Sequence, residues 1–272
     1  MNKLCYGYND SPVYIKDILN SIVEIFQSNL DNKLEAIYLH GSLALGCFNP
    51  NISDIDLLVI VNCQLSIETK KQIIKEIIHL SDSSKIPKKG LEFSVVQLKF
   101  LHDFVHPTPF ELHYSPSWRE KYRTNTFDYD QHKEDRDLAA HFTITYHRGL
   151  CLFGKAIINV IPEIPEADYI DSLIYDVEDY TEVILKDPVY VILNLCRVLY
   201  FLREKKVASK IEGGLWAINQ YPDTNISLIS AALDLYKGVL SEYNFNTEQL
   251  QQFNQFMLKE VGKLLKKQGI FI

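Results

Sequence analysis

The hydrophobic positions in the first half of the chain alternate between helical spacing and the short apolar runs typical of strands. Residues 11–30 and 67–80 place apolar side chains at helical spacing, which predicts two amphipathic helices. Residues 34–39, 55–61 and 91–98 are short runs rich in β-branched and aliphatic residues, which predict strands. The middle run, IDLLVIV, is apolar throughout and is therefore expected to be buried on both faces of a sheet. This alternation predicts a mixed sheet with flanking helices.

The pattern changes at about residue 164, where long amphipathic stretches replace the β-branched runs. Residues 167–185, 189–205, 226–240 and 246–267 all have helical periodicity. Asn246, with Gln249 three residues on, is a helix start signal, and Pro162 and Pro165 mark a boundary. We therefore expect an α+β fold, with a mixed-sheet domain over residues 1–160, an all-α helical bundle over residues 161–272 and a cleft between them.

Composition and charge narrow the class of protein. The 272-residue chain has a formal net charge of −7, which argues against nucleic acid as a partner and permits a cationic small substrate. Its five cysteines have no metal-ligand or CxxC spacing, as expected for a reducing compartment. No apolar run is long enough to span a membrane, and the N-terminus does not have the pattern of a signal peptide. We expect a cytoplasmic enzyme that does not bind membranes.

The segment that carries candidate chemistry is HGSLALGCFNPNISDIDLLVIV, residues 40–61. Gly41 and Ser42 follow a predicted strand and open what reads as a helix. Glycine allows a close backbone approach to a phosphate, and the serine hydroxyl and the free amides at a helix start can bind phosphate oxygens. Ser53 then precedes the acidic pair Asp54 and Asp56.

Asp54 and Asp56 are expected to point to the same side, because side chains alternate between the faces of a strand. Two neighbouring carboxylates repel each other unless a cation lies between them. Hard oxygen ligands in this arrangement suit Mg²⁺, which completes its coordination with water and substrate phosphates. Nucleotidyl or phosphoryl transfer needs such a site.

That chemistry calls for a third carboxylate on a neighbouring strand, and Glu92 is the candidate. Leu91 and Phe93 flank it and would face the opposite side of the sheet. An acid in an otherwise apolar strand needs a partner or a role, and here the role would be metal ligand, general base or both. Each of these features alone has an ordinary explanation as a turn, a solvated acid pair or a surface acid. Their order along the chain favours catalysis.

His40-Gly41-Ser42 followed by Ser53-Asp54-Ile55-Asp56 resembles the signature of the nucleotidyltransferase superfamily, which has a polymerase-beta-like fold. The resemblance extends from about residue 21 to residue 263. Further segments occur in the order and approximate spacing of aminoglycoside adenylyltransferases of the streptomycin/spectinomycin type: Gly90-Leu91-Glu92-Phe93, Trp118, residues 135–139, Arg197, Ser209-Lys210 and Trp216-Ala217.

This resemblance implies transfer of AMP from ATP to a drug hydroxyl, with Mg²⁺, expected as a pair of ions, as cofactor. It implies the following roles: Asp54, Asp56 and Glu92 as metal ligands, Glu92 as catalytic base, Gly41, Ser42 and Ser53 at the triphosphate, Asp137 near the nucleotide, Arg197 and Lys210 at the phosphates and departing pyrophosphate, Tyr236 at the adenine, and Trp118 and Asp187 at the drug.

Several of these residues also have structural explanations. Arg197 lies among apolar residues and can be part of an internal salt bridge, and Asp187 before Pro188 can cap a helix. Trp118 and Tyr236 can be core aromatics, and Lys210 can be a solvated charge. The eight histidines form no metal-ligand spacing and are interpreted as structural.

One departure from the family bears on the substrate. Family members that modify streptomycin have a tryptophan shortly before the position of Asp187, whereas the segment DVEDYTEVILKD has none. This favours spectinomycin over streptomycin. The alternatives are a nucleotidyltransferase that modifies a protein or another metabolite, and a non-enzymatic nucleotide-binding protein; the latter has no reason to keep three costly acids together. We expect a monomer.

Overall fold

A computed structural model describes residues 5–83, 86–129, 133–221 and 226–270. The chain packs into two compact units, of which the first is Tyr6–Ser172. The second runs from Leu173 onward and includes Cys5. The packing therefore divides the chain later than the boundary expected at residue 160, and that boundary stays a prediction.

The first unit is built on a mixed sheet with the strand order β5-β3-β2-β1-β7. Strands β2 and β3 are parallel, and β1 pairs antiparallel with β2 and β7, as β3 does with β5. Strands β4 and β6 form a separate antiparallel pair. The strands are β1 Leu34–His40, β2 Ile55–Val61, β3 Leu91–Gln97, β4 Thr108–Phe110, β5 Leu112–Tyr114, β6 Lys133–Asp135 and β7 Leu150–Gly154.

The helices of this unit lie on the sheet or in its connections. They are α1 Val13–Leu30, α2 Gly41–Ala44, α3 Ile67–Ser83, α4 Lys99–His102, α5 Arg119–Arg123 and α6 Leu138–Arg148. Helix α7 Glu166–Val177 follows, and the division between the units falls within it.

The two faces of the sheet bury different cores. Ile55, Leu57 and Val59 of β2 lie on one face, in a core cluster with buried residues of α1 and α3. Leu58 and Ile60 lie on the other face, in a cluster with residues of α6. Because β2 is buried on both sides, the expectation from its continuous apolar run is confirmed.

The second unit is a helical bundle around a buried central helix. Its helices are α8 Tyr180–Val183, α9 Pro188–Glu204, α10 Lys210–Gln220, α11 Ile226–Tyr236 and α12 Thr247–Lys267. Helix α9 contacts α10, α11 and α12 and has buried residues around its circumference. The expected all-α character of this part is confirmed. None of the described helices is long and apolar enough to cross a membrane.

Helix ends follow the local sequence. The Asn246 side chain accepts a hydrogen bond from the backbone N–H of Gln249 at 3.0 Å, which confirms the predicted cap of α12. Helix α10 begins with a reciprocal capping box, in which Ser209 and Glu212 each accept from the other's backbone N–H.

The single helix predicted over residues 167–185 was wrong, because the chain forms α7 and α8 with a break at Glu178 and Asp179. The last turn of α7 has no basic residue, whereas Asp176 and Glu178 place negative charge where the helix dipole is already negative. Charge repulsion at this end therefore favours the break over a continuous helix.

Gly213 allows α10 to approach α9 closely. A Cβ atom at this position would lie 2.8 Å from the backbone N and Cα of Arg197, and backbone atoms cannot move aside cheaply. Gly262 in α12 is a matched contrast, since a Cβ there would meet nothing within 4 Å.

We therefore predict that Gly213→Ala lowers the free energy of unfolding by about 1–3 kcal/mol through overpacking. Gly262→Ala should leave it unchanged or raise it by up to about 1 kcal/mol, because alanine favours helix. Urea unfolding of both variants measures the two effects. A Gly213→Ala protein as stable as the wild type would contradict the close approach of α10 and α9.

Candidate active site

The three predicted acids lie together at one end of the parallel strand pair. Asp56 of β2 is in register with Glu92 of β3, and Asp54 lies just before β2. One carboxylate oxygen from each lies within 4.8 Å of the others. Their neighbours Ile55, Leu57, Leu91 and Phe93 face the opposite core, as the alternation of side chains predicts. The expectation that Glu92 lies on the strand next to Asp56 is confirmed.

The electrostatics of this cluster favour a cation. Burial raises the pKa of Glu92 to about 7, and the carboxylates of Asp54, Asp137 and Asp135 also raise it against the opposing effect of His141. Three carboxylates supply the hard oxygen donors that Mg²⁺ prefers. The donor set therefore fits a divalent cation, which would replace the proton that Glu92 otherwise retains.

Gly41 brings the first turn of α2 against the cluster. Its φ is +62°, and a Cβ there would lie 1.8 Å from Oδ2 of Asp56. A side chain at this position would therefore displace the carboxylate. The Oγ of the next residue, Ser42, is buried and makes no hydrogen bond to the described residues. A buried hydroxyl of this kind is suited to an oxygen-rich ligand.

Ser53 has a structural partner in the loop before β2. Its Oγ accepts a hydrogen bond from the backbone N–H of Asn49 at 3.1 Å, and the side chain is buried. The expected contact of Ser53 with a triphosphate stays a prediction.

A second charged group faces the carboxylates from α6. His141 Nε2 lies 3.2 Å from Oδ2 of Asp137, and its ring lies 4.8 Å from that of His40. Burial lowers the pKa of His141, but Asp137, Glu92 and Asp135 outweigh it and raise the pKa to about 10. Burial and the charge of His141 lower the pKa of His40 well below its usual value. The cationic imidazole of His141 therefore lies close to the neutral imidazole of His40, beside the acids.

Asp137, predicted near the nucleotide, is therefore on the same face of the sheet as Glu92. Its Oδ1 also accepts a hydrogen bond from Ser172 Oγ at 3.4 Å. Asp135 accepts from the backbone N–H of Asp137 at 2.8 Å, which fixes the start of α6.

Trp118 lies in an aromatic group at the edge of the sheet. Its ring centroid is 4.9 Å from that of His113 and 5.3 Å from that of Phe127, and Lys133 Nζ lies 4.9 Å from it. His113 hydrogen-bonds through Nδ1 to Ser94 Oγ at 3.0 Å, on the face of β3 that carries Glu92. Trp118 is only partly buried, so it combines packing with an accessible surface.

In comparisons with known proteins, each half of the chain matches a protein-family model. Residues 19–111 match the nucleotidyltransferase domain family, and residues 159–260 match the C-terminal domain of aminoglycoside adenylyltransferases. The chain therefore combines a region that matches a nucleotidyltransferase domain with a region that matches the C-terminal domain of aminoglycoside adenylyltransferases.

Individual family members match over nearly their whole length. The spectinomycin 9-adenylyltransferase of Campylobacter jejuni is 23% identical over 250 residues, which cover 91% of this chain and 96% of that protein. The aminoglycoside (3'')(9) adenylyltransferase of Klebsiella pneumoniae is 25% identical over 258 residues, with coverage of 92% and 95%. The fold is that of the spectinomycin adenyltransferase AAD(9) of Enterococcus faecalis, solved with ATP and spectinomycin. The TM-score is 0.79 at 22% identity, covering 90% of this chain and 98% of that chain.

The remaining family positions lie in the helical unit of this adenylyltransferase. Arg197 Nη2 lies 3.8 Å from Oδ2 of Asp176, and Lys210 Nζ lies 4.3 Å from the ring centroid of Tyr190. Asp187 caps α9, accepting from the backbone N–H of Tyr190 at 3.2 Å. Tyr236 is buried at the end of α11. Asp187 and Tyr236 thus have structural roles, and their expected contacts with drug and adenine stay predictions.

His141 was missed as a member of the site, since the histidines were interpreted as structural. A histidine four residues after Asp137 in the run DLAAHF is the pattern of an acid–imidazole pair on one helix face. That signal depended on recognising α6, whose β-branched Thr-Ile-Thr segment obscures it.

The pKa of Glu92 predicts how the metal-free enzyme responds to pH. Between pH 4.5 and about 7 the native state retains a proton that the unfolded state has released, so the free energy of unfolding falls as pH rises. Glu92→Gln removes the ionisable group and with it this fall in the free energy of unfolding. Its stability relative to wild type should therefore grow from near zero at pH 4.5 to about 3 kcal/mol above pH 7.

Denaturant unfolding in a chelator at several pH values measures this difference. Glu24→Gln, the same substitution at an exposed position of α1, is the control for the effect of the substitution itself. A Glu92→Gln difference that stays constant with pH would contradict the raised pKa.

Proposed function

We propose that this adenylyltransferase transfers AMP from ATP to a hydroxyl of an aminoglycoside-type antibiotic and releases pyrophosphate. The observation that carries the proposal is the group of Asp54, Asp56 and Glu92 carboxylates beside the turn at Gly41 and Ser42. The matches to a nucleotidyltransferase domain and to the C-terminal domain of aminoglycoside adenylyltransferases support the same reaction. The names of the curated relatives support the class of substrate.

Asp54, Asp56 and Glu92 would hold Mg²⁺. When bound there, it would supply positive charge to the triphosphate and stabilise the attacking and leaving oxygens of an in-line displacement. Ser42 would donate a hydrogen bond to a phosphate oxygen from its hydroxyl, which has no hydrogen-bond partner among the described residues.

Glu92 would act as the general base. A cation bound beside it would lower its raised pKa, and its carboxylate would then accept the proton of the drug hydroxyl. The hydroxyl oxygen forms a bond to the α-phosphorus as the bond to the pyrophosphate oxygen breaks. Arg197 and Lys210 would balance the charge of the departing pyrophosphate.

The favoured drug is spectinomycin. The missing tryptophan before Asp187 argues against streptomycin, and several curated relatives are named as spectinomycin 9-adenylyltransferases. The net charge of −7 suits a cationic substrate. Trp118 and Asp187 would contact the drug.

We also propose that the enzyme acts in the cytoplasm as a monomer, with ATP and the drug as its partners and no nucleic acid. None of the five cysteines, all of which lie in the described part of the chain, forms a disulfide, as expected in a reducing compartment.

The first test is pyrophosphate release with Mg²⁺ and ATP against spectinomycin, streptomycin, kanamycin and a lincosamide. We expect release with spectinomycin above all others. If none of the four drugs causes pyrophosphate release, the substrate is to be sought among metabolites and proteins.

Two variants test the assigned chemistry in the same assay. Asp54→Asn should lower turnover by about 10²-fold or more, and Glu92→Gln should abolish turnover but leave ATP binding mostly intact. Asp103→Asn and Glu24→Gln, both at exposed positions, are the controls and should keep wild-type rates. Retained turnover in Glu92→Gln would remove Glu92 from the role of base.

The two tryptophans allow a binding test that does not depend on turnover. Trp216→Phe leaves Trp118 as the single indole, and Trp118→Phe leaves Trp216. We expect spectinomycin to change the fluorescence of the Trp216→Phe variant and not of the Trp118→Phe variant. The opposite result would place the drug away from Trp118.

A further inference from the structure

Asp176 is the centre of a polar network in the helical unit. Its Oδ1 accepts a hydrogen bond from the Tyr190 hydroxyl at 2.8 Å, and its Oδ2 accepts one from Asn194 Nδ2. Arg197 Nη2 lies 3.8 Å from the same Oδ2. Tyr190, Asn194 and Arg197 lie at helical spacing along one face of α9, so a single carboxylate on α7 meets all three.

The network extends through the aromatic ring of Tyr190 to Lys210, the second cation proposed to bind phosphate. Lys210 Nζ lies 4.3 Å from the ring centroid of Tyr190, a cation–π contact, while the hydroxyl of that ring is bound to Asp176. The close approach at Gly213, one turn after Lys210, holds α10 against the backbone of Arg197. Asp176 is thus linked to Arg197 directly and to Lys210 through Tyr190.

The ion pair between Asp176 and Arg197 is longer than a hydrogen bond. In the first unit, by contrast, Arg136 donates two hydrogen bonds of 2.9 and 2.7 Å to Asp171, as in a structural ion pair. At 3.8 Å the guanidinium of Arg197 lies beyond hydrogen-bond distance of Asp176, whose carboxylate accepts hydrogen bonds from the neutral donors of Tyr190 and Asn194. The charge of Asp176 therefore orients the guanidinium without engaging it in a two-pronged pair.

We propose that Asp176 is a positioning residue that holds Arg197 and, through Tyr190, Lys210 in the geometry that binds the leaving phosphates of ATP. This rests on the roles proposed above for Arg197 and Lys210. Asp176 touches no reacting atom and acts only through these two cations.

The test combines binding, turnover and stability in the full-length enzyme. Asp176→Asn keeps the shape of the side chain and removes its charge, and Tyr190→Phe keeps the ring beneath Lys210 and removes its hydroxyl. Asp179→Asn removes the same charge from an exposed position three residues away and is the control. Calorimetric titration gives the Kd of each variant for ATP with Mg²⁺ and for pyrophosphate, and thermal unfolding gives Tm.

We expect Asp176→Asn to weaken ATP and pyrophosphate binding by about three- to tenfold and to lower kcat by about 10- to 100-fold. KM for the drug should change little. Tyr190→Phe should act in the same direction with a smaller effect, and Asp179→Asn should match wild type. A fall in Tm with unchanged Kd and kcat would mean that the network is only structural and would overturn the proposal, as would tighter ATP binding.

A double-mutant cycle separates this proposal from the proposed function. If Asp176 acts through Arg197, Asp176→Asn should add almost nothing to the loss of ATP binding caused by Arg197→Ala. Additive losses would overturn the positioning role and leave the role of Arg197 intact. If Arg197→Ala leaves ATP binding unchanged, both the phosphate-binding role of Arg197 and its positioning by Asp176 are overturned.

Discussion

The close approach of three carboxyl groups at one end of the parallel strand pair is the constraint on which the candidate site depends. The sheet holds Asp56 and Glu92 side by side because β2 and β3 are parallel and in register. Their apolar neighbours are buried against α1 and α3, so the acids cannot turn away without exposing that core. Core packing therefore maintains a concentration of negative charge that is unfavourable without a cation, and this makes the site receptive to one.

The sequence was sufficient to predict this part of the molecule. Alternation within IDLLVIV and LEFSVVQ placed Asp56 and Glu92 on one face, and both strands begin where their patterns begin. The chemistry then followed from the types of residue, because few reactions other than phosphoryl or nucleotidyl transfer need paired acids after a Gly-Ser turn. Local patterns are informative here since the relevant contacts are between neighbouring strands.

Other features could not be predicted from the sequence, because they depend on local signals that are weak or on contacts between residues distant in sequence. Helix α10 was missed because Gly213 and Gly214 lower its helix propensity, although the Ser209–Glu212 capping box marks its start. The cationic state of His141 results from three carboxylates that the fold brings around it. The network at Asp176 likewise joins α7 to α9, and no periodicity in either segment indicates it.

The turn at Gly41 shows that the absence of a side chain can shape a candidate active site. The space that a methyl group would occupy at this position is filled by the carboxylate of Asp56. Any side chain here would collide with Asp56, one of the three acids of the candidate site. The arrangement of the three acids therefore depends on a residue that has no side chain of its own.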